Sequence, residues 1–160
     1  MTYIVIPSDN ATPSISITDL IPITDGTFPG VGEVGEQVVA SNAVLSSTNL
    51  AATGVWGYAH SISLDAGLWE IQGIAEFAEN SAVLTDSVGV GISDDTAGAT
   101  FTYGDYSEQP FFLTGNDFFM QTPVKRVSIA ATTTYYLNTK LNYTSGSPQH
   151  AGVIWAKRYG

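Results

Sequence analysis

The sequence predicts an all-β domain, a sandwich or a barrel, and three observations carry that expectation. Residues 61–77, SISLDAGLWEIQGIAEF, alternate apolar and polar side chains on both sides of Asp65-Ala66-Gly67, the pattern of two half-buried strands joined as a β-hairpin. Further short segments dense in β-branched and aromatic residues recur along the chain with turn residues between them, which multiplies the strands to eight or more. No segment keeps a helical period: the most helix-like, 40–52, is broken up by Ser, Thr and Asn, and a short turn is the most it is expected to form.

Taken in order, residues 1–34 differ from the remainder. Four of the seven prolines, Pro7, Pro13, Pro22 and Pro29, fall here, and each removes a ladder donor and favours extended structure. The segment is also rich in isoleucine, too apolar for free disorder. It reads as an extended arm with short pieces around 3–6 and 14–17, lying on its own surface or a partner's. A domain over 35–160 follows, with strands expected at 36–41, 60–64, 68–77, 87–92, 100–103, 111–113, 124–130, 133–143 and 152–159. In 133–143 either Tyr135, Leu137, Thr139 and Leu141 or Tyr136, Asn138, Lys140 and Asn142 can face the core, since both sets open with tyrosine.

Composition bounds the function. At 160 residues the chain is long enough to bury a real core without staples, and it holds no cysteine for disulfides or thiolate metal sites. Charged residues make up 12% against 44% hydrophobic, so Ser, Thr, Asn and Gly cover the surface, as on extracellular or particle-bound β proteins. Apolar runs break off far short of the ~20 residues that cross a bilayer. No basic and apolar leader follows Met1, so a soluble protein outside the general secretion route is expected, with no membrane partner. The net charge of -10 argues against nucleic acid. All 15 carboxylates lie between Asp9 and Asp117 and all five cations between Lys125 and Arg158. Either basic C-terminal strands lie beside acidic ones within the chain, or a basic face docks an acidic face of a neighbouring subunit.

No arrangement of residues supports catalysis. Glu70 and Glu76 share the polar face of one strand but stand about 20 Å apart, too far to act on one glycosidic bond. His60 and His150 have no nucleophile elbow near them in sequence. The chain is therefore expected not to be an enzyme and to need no cofactor. Asp94 and Asp95 in GISDDTAGAT are weak candidates for a hard cation, with Thr96, Asp105 and Glu108 as further oxygen ligands, but the spacing of a regular calcium loop is missing. Aromatics at loop positions, Trp56, Tyr103 and Tyr106 foremost, are candidates for contact with glycan if exposed, and for core or subunit packing if not.

SISLDAGLWEIQG in mid-chain, GISDD after it, TTYYLN further on and the terminal GVIWAKRYG together resemble a group of tailed-bacteriophage virion proteins. Chains of that group carry a strand ending in Leu-x-Ala-Gly-x-Trp and finish on a short basic strand. The resemblance covers residues 33–160 and rests on the order of the motifs. It implies a jelly-roll-like antiparallel β-sandwich that assembles as a homotrimer, used as a capsid decoration protein or as the knob of a head or tail fibre. Trp69 matches the group's tryptophan and 152–158 its last strand. With the resemblance, the expected role is a capsid decoration (cement) protein on the virion surface, made in the host cytoplasm and bound to the phage major capsid protein or another virion protein. Tyr3, Ile4, Ile6, Ile15, Ile17 and Ile21 of the arm are the candidates for attachment, and Tyr136, Val153, Trp155 and Arg158 for the trimer contact. The alternative is a receptor- or glycan-binding fibre knob.

Overall fold

The structure, a computed structural model, describes residues 30–42, 48–50, 52–78, 83–98, 100–102, 104–110 and 117–160. These form ten strands and no helix: β1 (Gln37–Asn42), β2 (Thr48–Asn49), β3 (Gly57–Leu64), β4 (Gly67–Ala78), β5 (Leu84–Ser93), β6 (Tyr106–Pro110), β7 (Phe118–Gln121), β8 (Lys125–Ile129), β9 (Thr133–Tyr143) and β10 (Gln149–Arg158). They make two antiparallel sheets. One runs β1-β10-β4-β7, with β2 also on β10 and β8 also on β4, and the other runs β3-β9-β5-β6. The arm residues proposed for attachment, Tyr3 to Ile21, lie outside the described residues.

The period-two alternation sets which side chains meet between the sheets. Trp69, Ile71, Ala75 and Phe77 of β4 point inward with Ile154 and Ala156 of β10, and they meet Ile62, Leu64, Val88, Val90, Ile92, Leu137 and Leu141 from the other sheet. On β9 the set Tyr135, Leu137, Thr139 and Leu141 faces the core, which settles the ambiguity of its two tyrosine faces; Asn138 of the other set is buried as well, but under the loop at Asp95 and Thr96. Fully burying each large apolar side chain contributes roughly 1.5–3 kcal/mol. Leu137 reaches into a gap left by two glycines on the facing sheet: a Cβ on Gly152 would lie 2.7 Å from the Ile74 carbonyl oxygen, and one on Gly73 2.9 Å from the Leu137 side chain.

The expected hairpin over 61–77 is not a hairpin. β3 pairs with β9 in one sheet and β4 pairs with β10, β7 and β8 in the other, so Asp65-Ala66 is a corner across the edge of the sandwich. Its strands point their apolar faces into the same core from opposite sides. The chain from β8 to β9 makes the same crossing alongside it: Gly67 pairs with Ile129 on one side of the corner, Leu64 with Thr133 on the other, and Thr132 Oγ1 donates to Asp65 Oδ1 at 2.8 Å. Two paired chains thus bend together from sheet to sheet, the ribbon geometry of a jelly roll. A second ribbon, β4 into β5 beside β9 into β10, bends at Ala78↔Gln149 and Leu84↔Tyr143.

One other strand expectation changes. Residues 100–102 do not form a strand, because the Thr102 backbone N–H and hydroxyl both donate to Asp105 and close a turn. The expected strand at 111–113 lies outside the described residues. β2, β6 and β7 are strands absent from the expectation; β2 falls within 40–52, where at most a short turn is expected, and forms by pairing with β10, while the exposure of nearly all of β6 explains why it shows no alternation.

Candidate functional site

The two outer faces of the sandwich offer different surfaces. On the β3-β9-β5-β6 sheet, Gly89 and Gly91 of β5 leave a trough with no side chains, and the chain's own rings fill it. A Cβ on Gly89 would lie 2.6 Å from Trp56, and one on Gly91 2.7 Å from both Phe101 and Tyr106. Trp56 sits edge-on to Phe101 at 4.8 Å and to Tyr106 at 5.8 Å. Lys140 stands 5.4 Å over the Trp56 ring and bonds Glu108, which also accepts from Ser87. Trp56 and Tyr106, far apart in sequence, are therefore brought together, and much of their area packs against glycine backbone. Tyr106 keeps 40% of its surface exposed. Tyr103 lies outside the described residues.

The Asp94 and Asp95 loop closes on itself. Asp94 accepts from Thr100 Oγ1, Asp95 Oδ1 accepts from Ala97 N–H, and the Asp95 carbonyl accepts from Ser93 and from the buried Asn138. Asp105 and Glu108, the further candidate ligands, point to cations instead, Lys125 at 2.6 Å and Lys140 at 2.6 Å. For both carboxyls burial works to raise the pKa, but the hydrogen bonds from the lysines and from neighbouring hydroxyls outweigh it and hold them below the ordinary value. Among the described residues no three metal-ligating side chains gather.

The proposed trimer residues do not share one surface. Val153 and Trp155 lie half-buried on the outer face of the β1-β10-β4-β7 sheet. Tyr136 is on the opposite side of the sandwich, 5.2 Å from Tyr58 in an edge-to-face pair. Arg158 is a correction: it turns inward and is 6% exposed. Its Nε donates to Glu36 at 2.9 Å, its Nη1 donates to the Ala66 carbonyl at 2.6 Å, and its guanidinium lies 4.4 Å from the Trp69 ring centroid. Trp69 Nε1 in turn donates to the Asp65 carbonyl, and a Cβ on Gly67 would run into the guanidinium. The two motifs LDAGLW and WAKR, 90 residues apart in sequence, thus meet as a socket and its occupant, since Trp69 and Arg158 are register partners.

With Arg158 committed inside, four of the five cations pair with acidic residues of their own chain: Lys125–Asp105, Arg126–Glu70, Lys140–Glu108 and Arg158–Glu36. Basic strands lying beside acidic ones within the chain account for the charge asymmetry. Lys157 is the remaining cation, exposed on the outer face of β10.

That outer face is the stronger candidate surface. In register across β1, β10 and β4 run the rows Gln37–Lys157–Glu70, Val39–Trp155–Gln72 and Ser41–Val153–Ile74. Val39 is 63% exposed and Phe119, three strands away, 66%. Around Trp155 the face sinks into a depression of about 310 Å³ whose lining includes Gln37, Val39, Gln72, Val124 and Lys157. His60 and His150, the remaining chemically versatile groups, serve the fold: His60 Nδ1 accepts from Ser61 N–H, and His150, 4% exposed, bonds Thr139.

No protein-family model matches the sequence, and no curated protein matches it. In three dimensions the chain is similar to the infectious bursal disease virus VP2 subviral particle, with a TM-score of 0.50 and 16% identity over 93% of this chain and 38% of that one. The Gx strain of the same virus gives a TM-score of 0.48 at 16% identity, over 93% of this chain and 37% of that one. This chain thus spans well under half the length of the proteins it matches. The likeness to the first shows the fold, a jelly-roll-like antiparallel β-sandwich.

Proposed function

We propose that this chain is a virion structural protein, and within that role a homotrimeric decoration protein on the capsid of a tailed bacteriophage. The observation that carries the reading is the fold: a stapleless sandwich whose topology extends over 93% of the chain onto a protein of a subviral particle. The exposed apolar side chains on the β4-β7 side of the β1-β10-β4-β7 sheet add support, since Ile74 and Phe119 gain by being covered in an assembly. In this reading the arm, residues 1–34, lays its isoleucines along the major capsid protein, and three arms per trimer act as one multivalent clamp. The chemistry is burial and charge, with no catalytic step.

The test uses capsids of the encoding virus stripped of the protein. Full chain added back should bind them, and a variant with Ile4, Ile6, Ile15, Ile17 and Ile21 all changed to Ser should keep its circular dichroism and its mass in solution while losing particle binding. Decoration by that variant at full strength contradicts the arm as the attachment segment. Failure of the full chain to bind contradicts the decoration role.

A further inference from the structure

The depression around Trp155 has the makings of a ligand site. It is concave, near the lower bound of volume for a small-molecule pocket, and unlike the trough on the opposite face it is not filled by the chain's own rings. Trp155 forms its apolar wall with Val39 and Val124, and beside it stand the amides of Gln37 and Gln72, which donate and accept, the Lys157 ammonium, which donates, and the Glu70 carboxylate, whose charge is held by Arg126. The strand register fixes this arrangement: Gln72 and Val39 flank Trp155 in one row, and Gln37 flanks Lys157 in the next. The floor is therefore rigid, a sheet rather than a loop.

Lys157 makes the site specific. The chain carries a net charge of -10, and each of its other four cations is neutralised by a carboxylate within the chain. Glu70, the register neighbour of Lys157, is itself bonded to Arg126 at 2.7 Å. Among the described residues Lys157 makes no ion pair, and its ammonium, on the lip of a depression walled by an indole, matches a ligand with an apolar face and a carboxylate. The amides of Gln37 and Gln72 suit the hydroxyls on the rest of such a ligand.

We infer that this depression binds an acidic saccharide: a carboxylated pyranose whose C–H face rests on Trp155, whose carboxylate accepts from Lys157, and whose hydroxyls are read by Gln37 and Gln72. The site stands apart from attachment to a particle, and does not depend on it. It also differs from the aromatic group at Trp56 and Tyr106, whose rings pack against glycine backbone.

The experiment titrates the full chain with trigalacturonate and with 3′-sialyllactose as acidic probes, and with maltotriose and lactose as neutral counterparts, following the Trp155 indole N–H by NMR. At least one acidic probe should move that resonance saturably, with affinity falling as salt rises, while the neutral sugars bind at least tenfold more weakly. Lys157→Gln, an exposed change that leaves the fold intact, should remove about tenfold or more of the acidic preference, the loss expected for a charge-assisted hydrogen bond. Trp155→Ala should abolish binding of every sugar. The inference is overturned if no acidic probe shifts the indole, if acidic and neutral sugars bind alike in wild type and Lys157→Gln, or if Trp155→Ala changes only the mass of the assembly, which would make this face a subunit contact.

Discussion

His150 and Arg158 show how single residues carry this fold. Burial lowers the pKa of His150 from 6.5 to about 4, because its imidazole sits between the sheets with Thr139 as partner. A group protonated in the unfolded chain but neutral in the native one weakens the fold as pH falls through 6.5 toward 4, and the shift bounds the effect at about 3 kcal/mol. Urea unfolding at pH 7.5, 6.0 and 4.5 should show that decline, and His150→Gln should flatten it. The depressed Asp105 and Glu108 act in the same sense but at lower pH: their pairing stabilises above the ordinary carboxylate range and is lost as pH falls below it. Arg158 fills the socket of Glu36, Ala66 and Trp69. Arg158→Ala leaves Glu36 buried without its cation and should destabilise by about 3–5 kcal/mol, read as a drop in urea midpoint. An equal midpoint would mean that water or another group satisfies Glu36.

At the scale of elements, the strands were legible where alternation is strong and the edges are marked by turns. β9 lies where its Tyr, Thr and Leu density places it, and β4 and β10 follow their apolar sets closely. Pairing was not legible. Local pattern cannot distinguish a hairpin turn from a corner between sheets, since Leu64 and Trp69 face one core either way and the deciding partners, Thr133 and Arg158, lie far along the chain. The same distance hid the role of Arg158, whose partner Glu36 is 122 residues away. β6, exposed and ending at Pro110, lacks any periodic signal. The close approach of β4 and β10 to Leu137 is likewise invisible in sequence, yet it makes a sharp prediction. Gly152→Ala pushes a methyl group against the Ile74 carbonyl and the Leu137 side chain and should cost about 1–3 kcal/mol, measured by thermal unfolding, whereas Gly104→Ala meets nothing within 4 Å and bears only its backbone cost.

For the whole molecule, four of the five cations are paired within the chain, which leaves a net negative surface with exposed apolar side chains on one outer face. Four ion pairs bind the basic C-terminal strands to the acidic part of the same chain, and Ile74 and Phe119, on the β4-β7 side of the outer face, are the exposed apolar side chains with most to gain from a neighbouring subunit. Light scattering after gel filtration should give three times the 16.9 kDa of one chain, and that mass should persist in high salt because the contact is apolar. Of the candidate site, Trp155 and Val153 were legible as a face, while Gln37, Val39 and Gln72 were not, because only strand register places them beside Trp155. The central claim, a trimeric decoration protein of a capsid, is tested most directly by cryo-electron microscopy of intact particles with and without the chain. The account predicts density of three-fold symmetry on the outer capsid surface that disappears when the chain is absent. Density confined to a tail or fibre tip, or no difference between the two particles, would contradict it.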